Sequence, residues 1–343
     1  MLNSAGKIFF KFVIVLFTIS CVSRNNEAFA VKHIECRPNS ESNAVKSIEA
    51  KGMADWIYEL ADDSMRGRNT PSPEIDKVAD LIANNFQSMG LEPGTPDKGY
   101  IQHYPLPNGL NAPNVIGILR GRDPKLKNEY VVFSAHMDHV GIGPAINGDS
   151  IYNGADDNAS GTSAVIEIAK AMSSAKSKPL RSMVFLLLSG EEKGLLGSEW
   201  FVNHPAVPLD SIVADLNIDM IGRNQTDQIV VIGKQFSSLG ATVEMIACEN
   251  PNLGLKVIDD PWPDEMLFYR SDHYNFAING IPILFFTNGV HEDYHRPSDE
   301  AVKINFEKTA RVARLIALTG LNIANSKDRP KWDKKAFDKI VGK

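Results

Sequence analysis

Several short runs in this chain are apolar at nearly every position instead of at every other one, chiefly residues 130–135, 183–188, 212–218 and 281–286. A strand with that pattern has both faces covered, which happens when helices pack on the two sides of a largely parallel sheet. Residues 115–119 and 229–232 read as further strands. Between the runs lie segments with apolar residues three to four apart: 161–173, 194–203, 237–249 and 306–325. Residues 44–90 carry the same helical spacing, with Ile48, Met53, Trp56, Ile57 and Leu60 followed by Val78, Leu81, Ile82, Phe86 and Met89, and Gly90 as a stop. This alternation predicts an α/β fold, a three-layer sandwich with a central mixed, largely parallel β-sheet flanked by helices.

The first thirty residues stand apart from that pattern. Lys7 and Lys11 precede the apolar run 12–22, and a polar stretch leads to Ala28-Phe29-Ala30. A positive region, a short apolar region and a small-x-small site are the marks of a secretory signal. The run is too short to span a bilayer of roughly 30 Å as a helix. Cleavage after Ala30 is the preferred reading, with lipid attachment at Cys21 as the rival, although Thr18-Ile19-Ser20 lacks the usual Leu three positions before the Cys. The mature chain is therefore expected to be exported, periplasmic or secreted, without stable membrane insertion.

Thirty-six Lys and Arg against 42 Asp and Glu give a net charge of −6. With no basic stripe, nucleic acid and anionic membrane surfaces are not expected partners. Once Cys21 is gone, Cys36 and Cys248 remain. They can pair in an oxidising compartment or stay as thiols. No cysteines have zinc-finger spacing, so any metal site has to draw on His and carboxylates.

Such residues fall where the strand pattern matters most. In open α/β sheets, ligands gather outside the carboxyl ends of the strands. Run 130–135 leads into His136-Met137-Asp138-His139, and run 183–188 into Ser189-Gly190-Glu191-Glu192. Run 212–218 ends in Asp219, and run 281–286 is followed by a loop with His291 and His295. The loop Asn153-Gly154-Ala155-Asp156-Asp157-Asn158 opens the next helix. So many acidic and imidazole groups at one sheet edge repel one another unless cations sit between them. Two residues apart on an extended segment, His136 and Asp138 project to one side, and a metal-bound histidine usually gives its second N–H to such an acceptor. Taken alone, this is also what a polar strand end looks like. Adjacent Glu191 and Glu192 point in different directions, so one can bind metal while the other takes a proton from a water whose pKa falls to about 7 on zinc. The alternative is an acidic pair at a helix start.

The pieces Ser134-Ala135-His136-Met137-Asp138-His139, Gly154-Ala155-Asp156-Asp157-Asn158-Ala159-Ser160-Gly161, Ser189-Gly190-Glu191-Glu192 and Asp219-Met220 occur in that order. Arg270-Ser271-Asp272-His273 and Asp293-Tyr294-His295-Arg296-Pro297-Ser298-Asp299 follow. The combination resembles the co-catalytic di-zinc exopeptidases of metallopeptidase family twenty-eight, which include bacterial leucyl aminopeptidase and aminopeptidase Y. The stretch from Leu60 to Arg68 resembles the family's N-terminal region. The resemblance implies two zinc ions per chain: His136 and Asp219 on one, Glu192 and His295 on the other, with Asp156 bridging. It makes Glu191 the general acid/base and Asp138 the residue that orients His136, and puts a cis peptide between Asp156 and Asp157. Tyr294 matches a position that hydrogen-bonds the oxyanion in some members, packing being its other reading. His139 and His291 are read as neighbours of the ligands, and Asp272-His273 as a structural or pocket-wall pair.

The implied domains are a signal peptide over 1–30, a single zinc-peptidase catalytic domain over 31–325 and a charged tail over 326–343 that trails over the surface. The expected activity is zinc-dependent exopeptidase action at the N-terminal peptide bond of peptide substrates. Alternatives are a carboxypeptidase or other amide hydrolase, a glutaminyl cyclase-like acyltransferase, and a non-catalytic binding scaffold. Arg223, Arg270 and Arg296 are the possible partners of a substrate carboxylate. Trp262, Met266, Leu267, Phe268 and Tyr269 form either an apolar pocket wall or a loop covering the core.

Overall fold

The computed structural model describes residues 43–340, so the signal-peptide reading, Cys21 and Cys36 lie outside the described residues. The strands are β1 (Glu92–Pro93), β2 (Ile101–Pro105), β3 (Asn111–Leu119), β4 (Tyr130–His136), β5 (Gly141–Ile146), β6 (Asp149–Tyr152), β7 (Ser182–Leu188), β8 (Ile212–Ile218), β9 (Gln228–Ile232), β10 (Lys256–Ile258) and β11 (Ile283–Thr287). The helices are α1 (Asn43–Lys46), α2 (Ala50–Leu60), α3 (Pro73–Ser88), α4 (Gly161–Ser173), α5 (Leu196–Asn203), α6 (Leu239–Glu249), α7 (His273–Ile278), α8 (Phe306–Asn325) and α9 (Lys334–Ile340).

The main sheet runs β1-β3-β7-β4-β8-β11-β9-β10, with β2 also on β3. Its centre, β7-β4-β8-β11, is parallel throughout, while β3 and β9 flank it antiparallel. Side chains alternate between two buried faces. Val131, Phe133 and Ala135 join one core with α2, α3, α4, α6 and α8. Val132, Val184, Leu186 and Leu188 join the other with Phe201 of α5 and Phe276 of α7. Each fully buried side chain of this size contributes about 1.5–3 kcal/mol, which is why these strands are apolar at consecutive positions.

The predicted helix over 44–90 is divided. Ser72 caps the N-terminus of α3, accepting a hydrogen bond from the Ile75 N–H, and Pro73 occupies its first turn. Beyond the predicted elements, β5 and β6 form a separate hairpin between the segment after β4 and the Asp-Asp loop, and each strand packs on the 63–68 turn. The tail does not trail. Ser237 bridges Trp332 in antiparallel fashion, the Trp332 indole donates to the Gly280 carbonyl at 2.9 Å, and Trp332 and Ile340 pack on the second core. Dense charge in that segment hid the few apolar residues that dock it.

Among the described residues no helix is long and apolar enough to cross a membrane. Cys248 is disulfide-bonded.

Candidate metal centre

Because β7, β4, β8 and β11 are parallel neighbours, their carboxyl ends open on one edge. His136, the last residue of β4, pairs in register with Leu188 at the end of β7, two residues before the turn carrying Glu191 and Glu192. Ile218, the last residue of β8, sits opposite Phe286 of β11. That register sets Asp219 beside the loop leading to His295. The tight turn at Gly190 needs glycine: its φ is +73°, and a Cβ there would lie 2.6 Å from the Tyr104 hydroxyl.

Two groups of donor atoms result. In the first, His136 Nε2 is 3.3 Å from Asp219 Oδ1 and 3.3 Å from Asp157 Oδ1, and Glu191 lies alongside. In the second, His295 Nε2 is 3.1 Å from both Asp157 Oδ2 and Glu192 Oε2, and His139 Nδ1 is 2.9 Å from Glu192 Oε1. Asp157 gives one oxygen to each group.

The structure therefore corrects the bridging assignment: Asp157, not Asp156, lies between the groups. Asp156 Oδ1 accepts the Gly222 N–H at 2.6 Å, and its Oδ2 faces His291 Nε2 at 3.3 Å. The cis peptide likewise joins Asp157 to Asn158, not Asp156 to Asp157. Adjacent residues in this irregular turn point in different directions, which residue order alone does not specify. His139, read from sequence as a bystander, stands in the second group. His273 is buried and stacked on Phe285, with centroids 4.4 Å apart.

Asp138 meets His136 through its main chain as well as its side chain. His136 Nδ1 donates to the Asp138 carbonyl at 3.2 Å, while the Asp138 carboxylate lies 3.7 Å from Nδ1 and accepts the Gly190 N–H at 2.7 Å. Asp138 so couples the His136 segment to the Glu191 turn. Asp299 accepts the N–H groups of Asp156 and Asp157 and holds the bridging loop. The guanidinium of Arg68, fully buried, donates to the carbonyls of Leu60, Met137, Asn153 and Gly154. Burial lowers its pKa to about 10, against the pull of Asp157 and Asp138. Sequence reasoning gave no role to either residue; the RPSD and GR pieces were their only signal.

Carboxylates dominate the charge at this edge. Despite burial, the carboxylates of Asp157 and Glu192 hold the His295 imidazole up at about 10. Burial also opposes a charged Asp157, yet His136, His139 and His295 keep its carboxyl well below the usual range. Burial, with Asp219 and Asp272 nearby, raises Glu191 well above it. His139 Nδ1, His295 Nε2 and Glu192 Oε1 approach one another closely but have no hydrogen-bond partner. Donors that are near but do not point at each other converge on a space between them, as metal ligands do. His and carboxylate oxygens suit zinc.

Residues 114–320 match the family model described as Peptidase family M28. Leupeptin-inactivating enzyme 1 of Streptomyces exfoliatus is 32% identical over 200 residues, 57% of this chain and 40% of that protein. Aminopeptidase YwaD of Bacillus subtilis (strain 168) is 28% identical over 233 residues, 65% and 47% of the two chains. The chain spans less than half the length of these relatives. The structure of BSAP, a zinc aminopeptidase from Bacillus subtilis, superposes with a TM-score of 0.64 at 17% identity, covering 82% of this chain and 96% of that one.

Proposed function

Because the chain belongs to peptidase family M28, we propose that it is a di-zinc exopeptidase that hydrolyses the N-terminal peptide bond of peptides. The observation that carries this is the Asp157 carboxylate divided between two donor groups, with Glu191 beside one of them. His136, Asp157 and Asp219 would hold one zinc, and Glu192, Asp157 and His295 the other.

Bound there, two zinc ions would supply Lewis acidity toward a water nucleophile and the scissile carbonyl. Glu191 accepts the proton of the attacking water and returns it to the leaving amine. Asp138 holds His136 and the Glu191 turn in mutual register. The Tyr294 ring stacks on His295 at 4.0 Å, and burial raises its pKa, so its hydroxyl stays a donor. Its role is to hydrogen-bond the oxyanion. Aminopeptidase action is favoured over carboxypeptidase action because two of the three candidate arginines are engaged: Arg223 with Asp293 at 2.9 Å and Arg270 with Glu265 at 3.3 Å. Met266 and Tyr269 are exposed while Leu267 and Phe268 are buried in the core, so that loop both covers the core and offers apolar surface. The N-terminal signal and the disulfide at Cys248 fit an exported enzyme working in an oxidising compartment.

The test is a panel of aminoacyl-nitroanilides, with and without chelator, beside Glu191→Gln. Activity lost to chelator and restored by zinc supports the reading, with the variant reduced about 10²–10⁴-fold while still binding metal. Silence with zinc bound points to a carboxypeptidase or another amide hydrolase. Silence without zinc leaves a binding scaffold.

A further inference from the structure

His139 is fully buried, yet neither of its ring nitrogens has a hydrogen-bond partner. An unpaired buried polar group is costly, so a packed imidazole with two such atoms needs a reason. Its ring is held firmly. It lies edge-on to His295, with centroids 5.5 Å apart, and against Gly154, where an added Cβ would come within 2.4 Å of the ring. Nδ1 stands 2.9 Å from Glu192 Oε1 and 3.7 Å from Asp157 Oδ2, and His295 Nε2 is 3.1 Å from oxygens of the same two carboxylates. Four ligands at 2.0–2.2 Å around a tetrahedral zinc lie about 3.3–3.6 Å apart. The observed separations, 2.9, 3.1, 3.1 and 3.7 Å, fall on either side of that spacing, within a few tenths of an ångström of it. The first group has only His136, Asp157 and Asp219, with Glu191 reserved for proton transfer.

We propose that His139 is a fourth protein ligand in the second group, which makes the two zinc positions unequal. Resting on the di-zinc reading above, this divides the labour between them. Four protein donors close a zinc site, as in structural sites, whereas three leave a position for water or substrate. The His139/Asp157/Glu192/His295 position is then the tight, first-filled one. The His136/Asp157/Asp219 position is the open one that takes the substrate carbonyl, beside Glu191.

Two measurements on the full chain test this. In calorimetric titration of the metal-stripped protein with zinc, the wild type is expected to show a tight event followed by a weaker one. His139→Asn and His139→Phe are expected to weaken the tight event at least about 10–100-fold and leave the other nearly unchanged. Equal events in the wild type, or folded variants with an unchanged tight event, overturn the inference. The second measurement needs no variant. One equivalent of Co(II) added to the stripped wild type should give two hyperfine-shifted, exchangeable imidazole N–H resonances, from His139 and His295. A single resonance overturns the inference and leaves the di-zinc reading standing. No metal uptake by the wild type overturns both.

Discussion

Arg68 offers the sharpest test of how the fold holds the site. Its guanidinium donates to Leu60 at the end of α2, to Met137 beside His136, and to Asn153 and Gly154 at the entry to the Asp157 loop. Arg68→Ala leaves the buried carbonyls of Leu60, Met137 and Asn153 unpaired, while Gly154 still accepts the Ala159 N–H. At about 1–3 kcal/mol each, the loss is about 3–9 kcal/mol, comparable with the roughly 5–15 kcal/mol stability of a whole domain. Arg68→Lys keeps the charge but lacks the planar fork that reaches carbonyls in several directions, so about 1–3 kcal/mol, the cost of one lost pairing, is expected to go. Urea unfolding of the metal-stripped chain, followed by circular dichroism with the disulfide intact, reads both. The expected order is wild type, then Lys with a lowered midpoint, then Ala with no cooperative native baseline. If Arg68→Ala unfolds cooperatively within about 1 kcal/mol of wild type, the size of an ordinary substitution, the carbonyl clamp is not what binds these loops together.

The bridging assignment is open to a direct comparison. Asp157→Asn offers one oxygen where two are used, so bound zinc by elemental analysis should fall below two per chain, whereas Asp156→Asn, still able to accept from Gly222, should retain both. Equal losses would return Asp156 to the centre. Burial pushes the Asp215 carboxyl up to about 8, with its Ser134 hydrogen bond opposing, against about 3.9 in an unfolded chain. Between those values the folded chain keeps a proton that the unfolded chain has released, so this group's contribution to stability is full below about pH 4 and is lost as pH rises toward 8. The melting temperature of Asp215→Asn should lack that downward slope, and parallel profiles would refute the assignment. Gly320 lies on α8, where alanine would ordinarily add about 1 kcal/mol. Here its Cβ would stand 2.2 Å from Phe133 Cζ, so Gly320→Ala should instead destabilise by about 1–3 kcal/mol; a raised melting temperature would show that the sheet can yield.

The layered α/β architecture was legible because burial on both faces of a strand leaves consecutive apolar residues, a mark written locally in runs such as 183–188. The edge that holds the chemistry was legible for the same reason: strands of one direction end together, so His136, Glu191, Glu192 and Asp219 had to meet. What residue order does not encode is side-chain direction in turns without a repeating backbone. Asp156 and Asp157 are chemically identical, and only the packing of Gly222 and His291 around Asp156 leaves Asp157 facing the two groups of donor atoms. His139 likewise became more than a neighbour only when the turn after β7 and the loop before α4 brought Glu192 and Asp157 against it. Arg68 is the clearest case. Its partners are main-chain carbonyls, which every residue carries, so no pattern of side chains could point to them before the chain had folded.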